Sequence, residues 1–166
     1  MPVAEESVAG QHTQEMIDQW HRWFAVECNN RAWDLIEKAS RTAAEGREML
    51  HAACASAFHW SKVGTPIHSA RSDVTLSYAH ALLGHPGMAM LYAKSALAFF
   101  ESHECENWDL AFTHAAMAQA AALAGDKELH ARHYALARQW GDALQDGENR
   151  RMFMESFSRV PAVAGE

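Results

Sequence analysis

Proline and glycine are scarce in this sequence, four and nine among 166 residues, and no stretch alternates apolar and polar side chains as a half-buried strand would. Without that punctuation a β-rich fold has few places to turn, so long helices with short connections are expected. Cysteine is scarce too. Cys28, Cys54 and Cys105 are odd in number, far apart and contain no C-x-x-C, which argues against a disulfide framework and for a reducing, cytoplasmic setting. Positive charge is thin: 14 Lys and Arg face 21 Asp and Glu, for a formal charge of −7, and the basic residues are scattered. Nucleic acid and anionic membranes both need a concentrated positive face, so neither is an expected partner. No apolar run approaches the ~20 residues that cross a bilayer, because Lys94 interrupts the best candidate, 88–100. The opening Met1-Pro-Val-Ala-Glu-Glu lacks the basic-then-apolar order of a secretory signal.

Catalytic signatures are missing as well. There is no G-x-S-x-G, no Walker glycine loop and no dinucleotide fingerprint, and Gly84-His-Pro-Gly87 lacks the strand that a phosphate loop needs. A non-catalytic protein without a cofactor is the expectation.

What the sequence does contain is a repeat. Shifting 73–101 by 41 residues pairs Ala79 with Ala120, Gly84 with Gly125 and Ala96 with Ala137, and also Leu76 with Met117, Met88 with Leu129 and Phe99 with Trp140. These are small or apolar residues at helical spacing, the pattern of hairpins that stack because none buries its apolar face alone. A first helix is expected over 13–38, with Asn29-Asn30 a candidate kink. A second starts at the capping box Thr42-Ala-Ala-Glu45 and ends near Val63. Gly64-Thr65-Pro66 combines a left-handed stop, an N-cap and a first-turn proline. Gly84-His85-Pro86 and Gly125-Asp126-Lys127 repeat that punctuation. A fifth helix begins at Asn107 or Asp109, Gln145-Asp146-Gly147 closes the sixth, and a short seventh covers 150–158. The reading is all-α: seven helices in antiparallel hairpins within one domain spanning 1–166, with 1–12 and 160–166 frayed.

The stretch from Leu83-Gly84 through Ala89 to Ala96-Leu97, echoed by Ala124-Gly125-Asp126 and Ala137, resembles the second half of a tetratricopeptide repeat. His80 stands where that family usually has tyrosine, and His130 takes the place of its crossing alanine. Asn30-Arg-Ala-Trp33, Met49-Leu-His51-Ala-Ala, His59-Trp60, Val63-Gly64-Thr-Pro66, Arg71 and Trp108-Asp109-Leu-Ala111-Phe are similar to a group of uncharacterised bacterial tetratricopeptide-like proteins. The resemblance implies a right-handed solenoid that binds a protein or peptide in its groove, and it brings no activity.

Eleven histidines invite a metal reading. Glu48-Met-Leu-His51 puts carboxylate and imidazole one turn apart, a spacing used in carboxylate-bridged di-iron bundles, and Cys54 lies one turn further on. Asp18 and His21 have the same spacing. The simpler alternative is an exposed intrahelical pair, with Cys54 as a small packing residue. His130 and His133 share a helix face with Lys127 and Arg132 and are expected outside. Trp20, Trp23, Phe24 and Trp33 are expected mostly in the core, with one ring left for a homodimer contact through the first helix. The polar residues on apolar stripes, His59 with Trp60, Arg71, His80, Asp109 and His114, are the candidate groove. Arg71 and Asp109 are candidates for an ion pair between two hairpins.

Overall fold

The computed structural model describes residues 12–163 and, among them, contains seven helices and no strand. They are α1 (Gln14–Ile36), α2 (Ala43–Val63), α3 (Pro66–Leu82), α4 (Pro86–Phe100), α5 (Asn107–Ala124), α6 (Lys127–Asp142) and α7 (Gly147–Phe157). The fold is all-α, as expected. The expected fraying of 1–12 and 160–166 falls largely outside the described residues. Val160 itself is buried, and the Pro161 carbonyl accepts a hydrogen bond from His130 Nε2 at 2.8 Å, so the start of that tail is docked.

Local chemistry accounts for the boundaries. Thr13 caps α1 by accepting from the Met16 N–H, and α1 runs without a break through Asn29-Asn30. The Thr42/Glu45 capping box is formed, the Thr42 hydroxyl accepting from the Glu45 N–H while the Glu45 carboxylate accepts from the Thr42 N–H. Asp126 and Asp146 cap α6 and α7. The two repeated glycines adopt the same backbone, φ of 75° at Gly84 and 77° at Gly125. Each closes its helix in a paired bond pattern: the Gly84 N–H reaches Ala81 O and the His85 N–H reaches His80 O, just as Gly125 reaches Ala122 and Asp126 reaches Ala121.

Gly64 differs from its expectation. Its φ is −83°, so it is no left-handed stop. Glycine is demanded there by space, since a Cβ would stand 2.6 Å from Trp60 O and 3.0 Å from His68 Cβ. Gly141 is a closer contact still, where a Cβ would meet the Phe153 ring at 2.1 Å and push α7 off α6.

Successive helices pack as antiparallel neighbours. In addition, α1, α3, α5 and α7 touch one another in order, whereas α2, α4 and α6 touch only their sequence neighbours. The odd helices therefore form an inner row and the even ones an outer row, a packing compatible with stacked hairpins. Alanines at close crossings let the rows approach: Ala79, Ala89, Ala93, Ala96, Ala111, Ala115, Ala116, Ala118, Ala120 and Ala137 are all fully buried. The core joins them to Leu35, Met49, Tyr78, Phe100, Met117 and Phe153. No helix of the described residues is long and apolar enough to cross a membrane.

Candidate functional site

The inner row converges on a cleft of about 490 Å³. Helix α1 contributes Asn29 and Trp33, which are one turn apart, with Asn30 beside them and Glu37 at the helix end. Helix α3 contributes His68, Arg71, Ser72 and Thr75, and α5 contributes Trp108, Asp109 and Phe112. Trp60 from the end of α2 and Asn149 with Met152 from α7 complete the walls. Three half-buried indoles thus face one space together with the cleft's single arginine and three side-chain amides.

The polar heart of the cleft is the Arg71–Asp109 pair. Arg71 Nε donates to Oδ1 at 2.8 Å and Nη2 to Oδ2 at 3.0 Å, a parallel two-bond fork. The Asp109 side chain is 1% exposed and that of Arg71 35%, so the carboxylate is committed to the interior while the guanidinium keeps one edge toward the opening. Asp109 does a second job: its Oδ2 accepts from the Glu106 N–H at 3.3 Å and satisfies the first turn of α5. The Arg71 guanidinium lies 4.5 Å from the centre of the Trp108 ring, a cation–π contact that holds both groups flat against the wall. On the other side Trp33 Nε1 donates to Thr75 Oγ1, which donates to Asn29 Oδ1, each at 3.2 Å. That chain leaves the Asn29 amide N–H₂ as a free donor.

His68 sits at the junction with α2. Its ring stacks on Trp60 at 4.2 Å, and its Nδ1 accepts from the Thr65 N–H at 3.1 Å. Burial, and then the Arg71 and Arg22 guanidiniums, push its pKa down. The ring is therefore neutral at neutral pH, the state in which Nδ1 can accept.

Of the residues singled out from sequence, the fold brings Trp60, Arg71 and Asp109 together here and places His59, His80 and His114 elsewhere. His59 turns to α1, where its Nδ1 meets His21 Nδ1 at 2.7 Å and its ring stacks on Phe24 at 5.3 Å. His80 lies flat on Tyr92, 5.6 Å away, with its Nδ1 3.2 Å from that of His85. His114 is buried against His133, Nδ1 to Nδ1 at 3.0 Å. Burial first, then His133 and Arg132, lower its pKa to about 4. In such a pair one neutral ring donates and the other accepts.

Several placements differ from expectation. His130 and His133 are buried rather than solvated, since the tail after α7 docks on His130 and α5 covers His133 through His114. Trp20, Trp23 and Phe24 stay exposed and only Trp33 packs against the core, because no helix covers the outer side of the first hairpin. Cys54 is exposed instead of packed. At the proposed metal position Glu48 is engaged by Arg31 Nε at 2.7 Å, and both side chains are half exposed. No group of three His, Cys, Asp or Glu among the described residues is arranged to hold a metal ion.

Sequence reasoning missed the cleft role of Trp33, His68, Trp108 and Asn149. For His68 a signal existed: Thr65/His68 and Glu106/Asp109 occupy the same offset as the two glycines, so the cap residues repeat as well. The chain matches no protein-family model, and no curated protein or solved structure matches it.

Proposed function

We propose that this protein is a non-catalytic binding module of the tetratricopeptide kind, a stack of helical hairpins whose cleft takes an extended segment of a protein or peptide partner. The observation that carries the reading is the convergence of Trp33, Trp60 and Trp108 with the Arg71–Asp109 fork and the Asn29, Asn30 and Asn149 amides in a single cleft. Indole faces supply contact area at small entropic cost, and side-chain amides offer a donor beside an acceptor, the pair that a peptide unit presents. A volume of about 490 Å³ is within the range of ligand clefts. Glu37 at the rim has no ion-pair partner among the described residues, which favours a neutral or basic segment and agrees with the net acidic charge.

Selection from a displayed peptide library tests this. Enriched peptides should bind the wild type and lose about tenfold or more in affinity with Trp60→Ala, while the helical circular dichroism signal is unchanged. Peptides that bind Trp60→Ala as they bind the wild type would overturn the cleft as their site. The metal alternative built on Glu48, His51 and Cys54 would need the Arg31–Glu48 pair to open. Stoichiometric iron or zinc in protein purified without a histidine tag would revive it.

A homodimer through the first helix has its own support. Trp20, Trp23, Phe24 and Phe58 are 44, 58, 43 and 54% exposed on the outer face of the first hairpin, a larger apolar cluster than a lone surface residue. Sedimentation showing only the 18.5 kDa species would end that reading.

A further inference from the structure

A second cavity of about 370 Å³ opens between the C-terminal ends of α1 and α3, the C-terminal half of α5, and the end of α7. Its rim is basic. Lys38, Arg41 and Arg159 line it, and no Asp or Glu does. Lys38 is occupied by Glu45, the nearest acid, which also caps α2. Arg41 spends one nitrogen on three carbonyls, those of Leu35, Ile36 and Lys38, at 2.7, 3.0 and 2.8 Å, and so holds the end of α1. Its other N–H groups remain, and the guanidinium of Arg159 makes no hydrogen bond or ion pair among the described residues. Burial first, and then the neighbouring Arg159 charge, hold Arg41 below its ordinary pKa, only partly offset by Glu45.

The interior of the cavity is unsatisfied as well. Tyr78 is 3% exposed, lines the cavity, and its hydroxyl has no hydrogen-bond partner. Gln119 lines it too, and its Oε1 is buried and unpartnered. Burial pushes the Tyr78 phenol well above its ordinary pKa, and the nearby Ser156 offsets only part of that rise. Orphan polar groups of this kind each cost stability, and they cluster here with two guanidiniums that make no ion pair among the described residues. Ile36, Leu82 and Val160 supply an apolar wall between the cationic rim and the polar floor.

We propose that this cavity is a binding site for a small hydroxycarboxylate. The carboxylate lies on Arg159 and the free edge of Arg41, a short aliphatic body lies against Leu82 and Val160, and the hydroxyl donates to Gln119 while accepting from Tyr78. The site shares no lining residue with the tryptophan cleft, although the Tyr78 ring packs on Trp33 at 5.2 Å.

Calorimetric titration of the full chain with 3-hydroxybutyrate, butyrate and inorganic phosphate tests it. Saturable binding of 3-hydroxybutyrate with a Kd near or below about 1 mM is expected, with butyrate about tenfold weaker for want of the hydroxyl. Arg159→Gln should weaken 3-hydroxybutyrate about tenfold or more. Arg159 is exposed, so that variant folds. Tyr78→Phe should also weaken binding while its melting temperature is equal to or above that of the wild type, because an orphan hydroxyl is removed. Trp60→Ala should bind 3-hydroxybutyrate normally. Three outcomes would overturn the proposal: no saturable binding of 3-hydroxybutyrate, equal affinity in the wild type and Arg159→Gln, or phosphate binding at least as tightly as 3-hydroxybutyrate.

Discussion

The hairpins α3–α4 and α5–α6 solve the same backbone problem and put it to different uses. Each closes its first helix with a left-handed glycine and the same two hydrogen bonds, and each opens that helix with a residue that reaches back to the cap N–H: His68 to Thr65, Asp109 to Glu106. At that equivalent point a neutral ring stacks on Trp60 in one hairpin, while in the other a buried carboxylate crosses to Arg71. Their histidines diverge as well. His80 pairs with His85 in its own turn, whereas His114 pairs across the hairpin with His133 on α6. The backbone repeat thus sets register, and single side chains at repeated positions decide whether the joint to the preceding hairpin is a ring stack or a buried ion pair.

Substitution at the equivalent cap positions gives the largest expected separation. Asp109→Ala strands the Arg71 guanidinium and removes a cap, and should cost about 2–3 kcal/mol in urea unfolding, discounted because Arg71 is partly solvated. His68→Ala should cost about 1 kcal/mol, the scale of a lost cap. Equal losses would break the distinction drawn between the two hairpins, and a double-mutant cycle of Arg71→Ala with Asp109→Ala should show coupling that Arg71→Ala with His68→Ala lacks.

Acid should separate the histidine pairs next. The folded His114 titrates near 4, and an unfolded histidine titrates near 6.5. Because the folded value is the lower one, the unfolded chain takes up the proton first. The stabilisation is complete above about pH 6.5 and is lost as the pH falls toward 4, about 2 kcal/mol by about pH 5. His114→Gln preserves a hydrogen-bond partner for His133 without titrating, and its unfolding free energy should fall much less over that range. An unchanged pH slope would mean that the buried pair is not the source.

The two glycines provide the smallest test. Gly84→Ala and Gly125→Ala should each cost about 1 kcal/mol, since both put a Cβ on a left-handed backbone with open space around it. Gly87→Ala, inside α4 and also in open space, should be neutral or slightly stabilising. A large difference between Gly84→Ala and Gly125→Ala would show that the turns are less alike than their φ values.

Much of the fold was legible from the sequence because its causes are local. Thr42 with Glu45, the glycines at 84 and 125, and Asp126 act within four residues of themselves, so spacing alone identifies them. Arg71 and Asp109 were legible as a pair because charged residues on apolar stripes need partners. The remainder of the cleft was not, since Trp33, Trp108 and Asn149 look like ordinary members of their own helices until three helices meet.

The sequence by itself determined seven helices, their punctuation and the repeated glycine turns, because each follows from contacts one helical turn long. Tertiary structure alone decided which side of each helix became interior. It withdrew His59, His80 and His114 from the cleft, buried His130 under the tail and His133 against α5, and left Trp20 and Trp23 uncovered. Burial depends on what the rest of the chain lays over a face, and no local pattern encodes that.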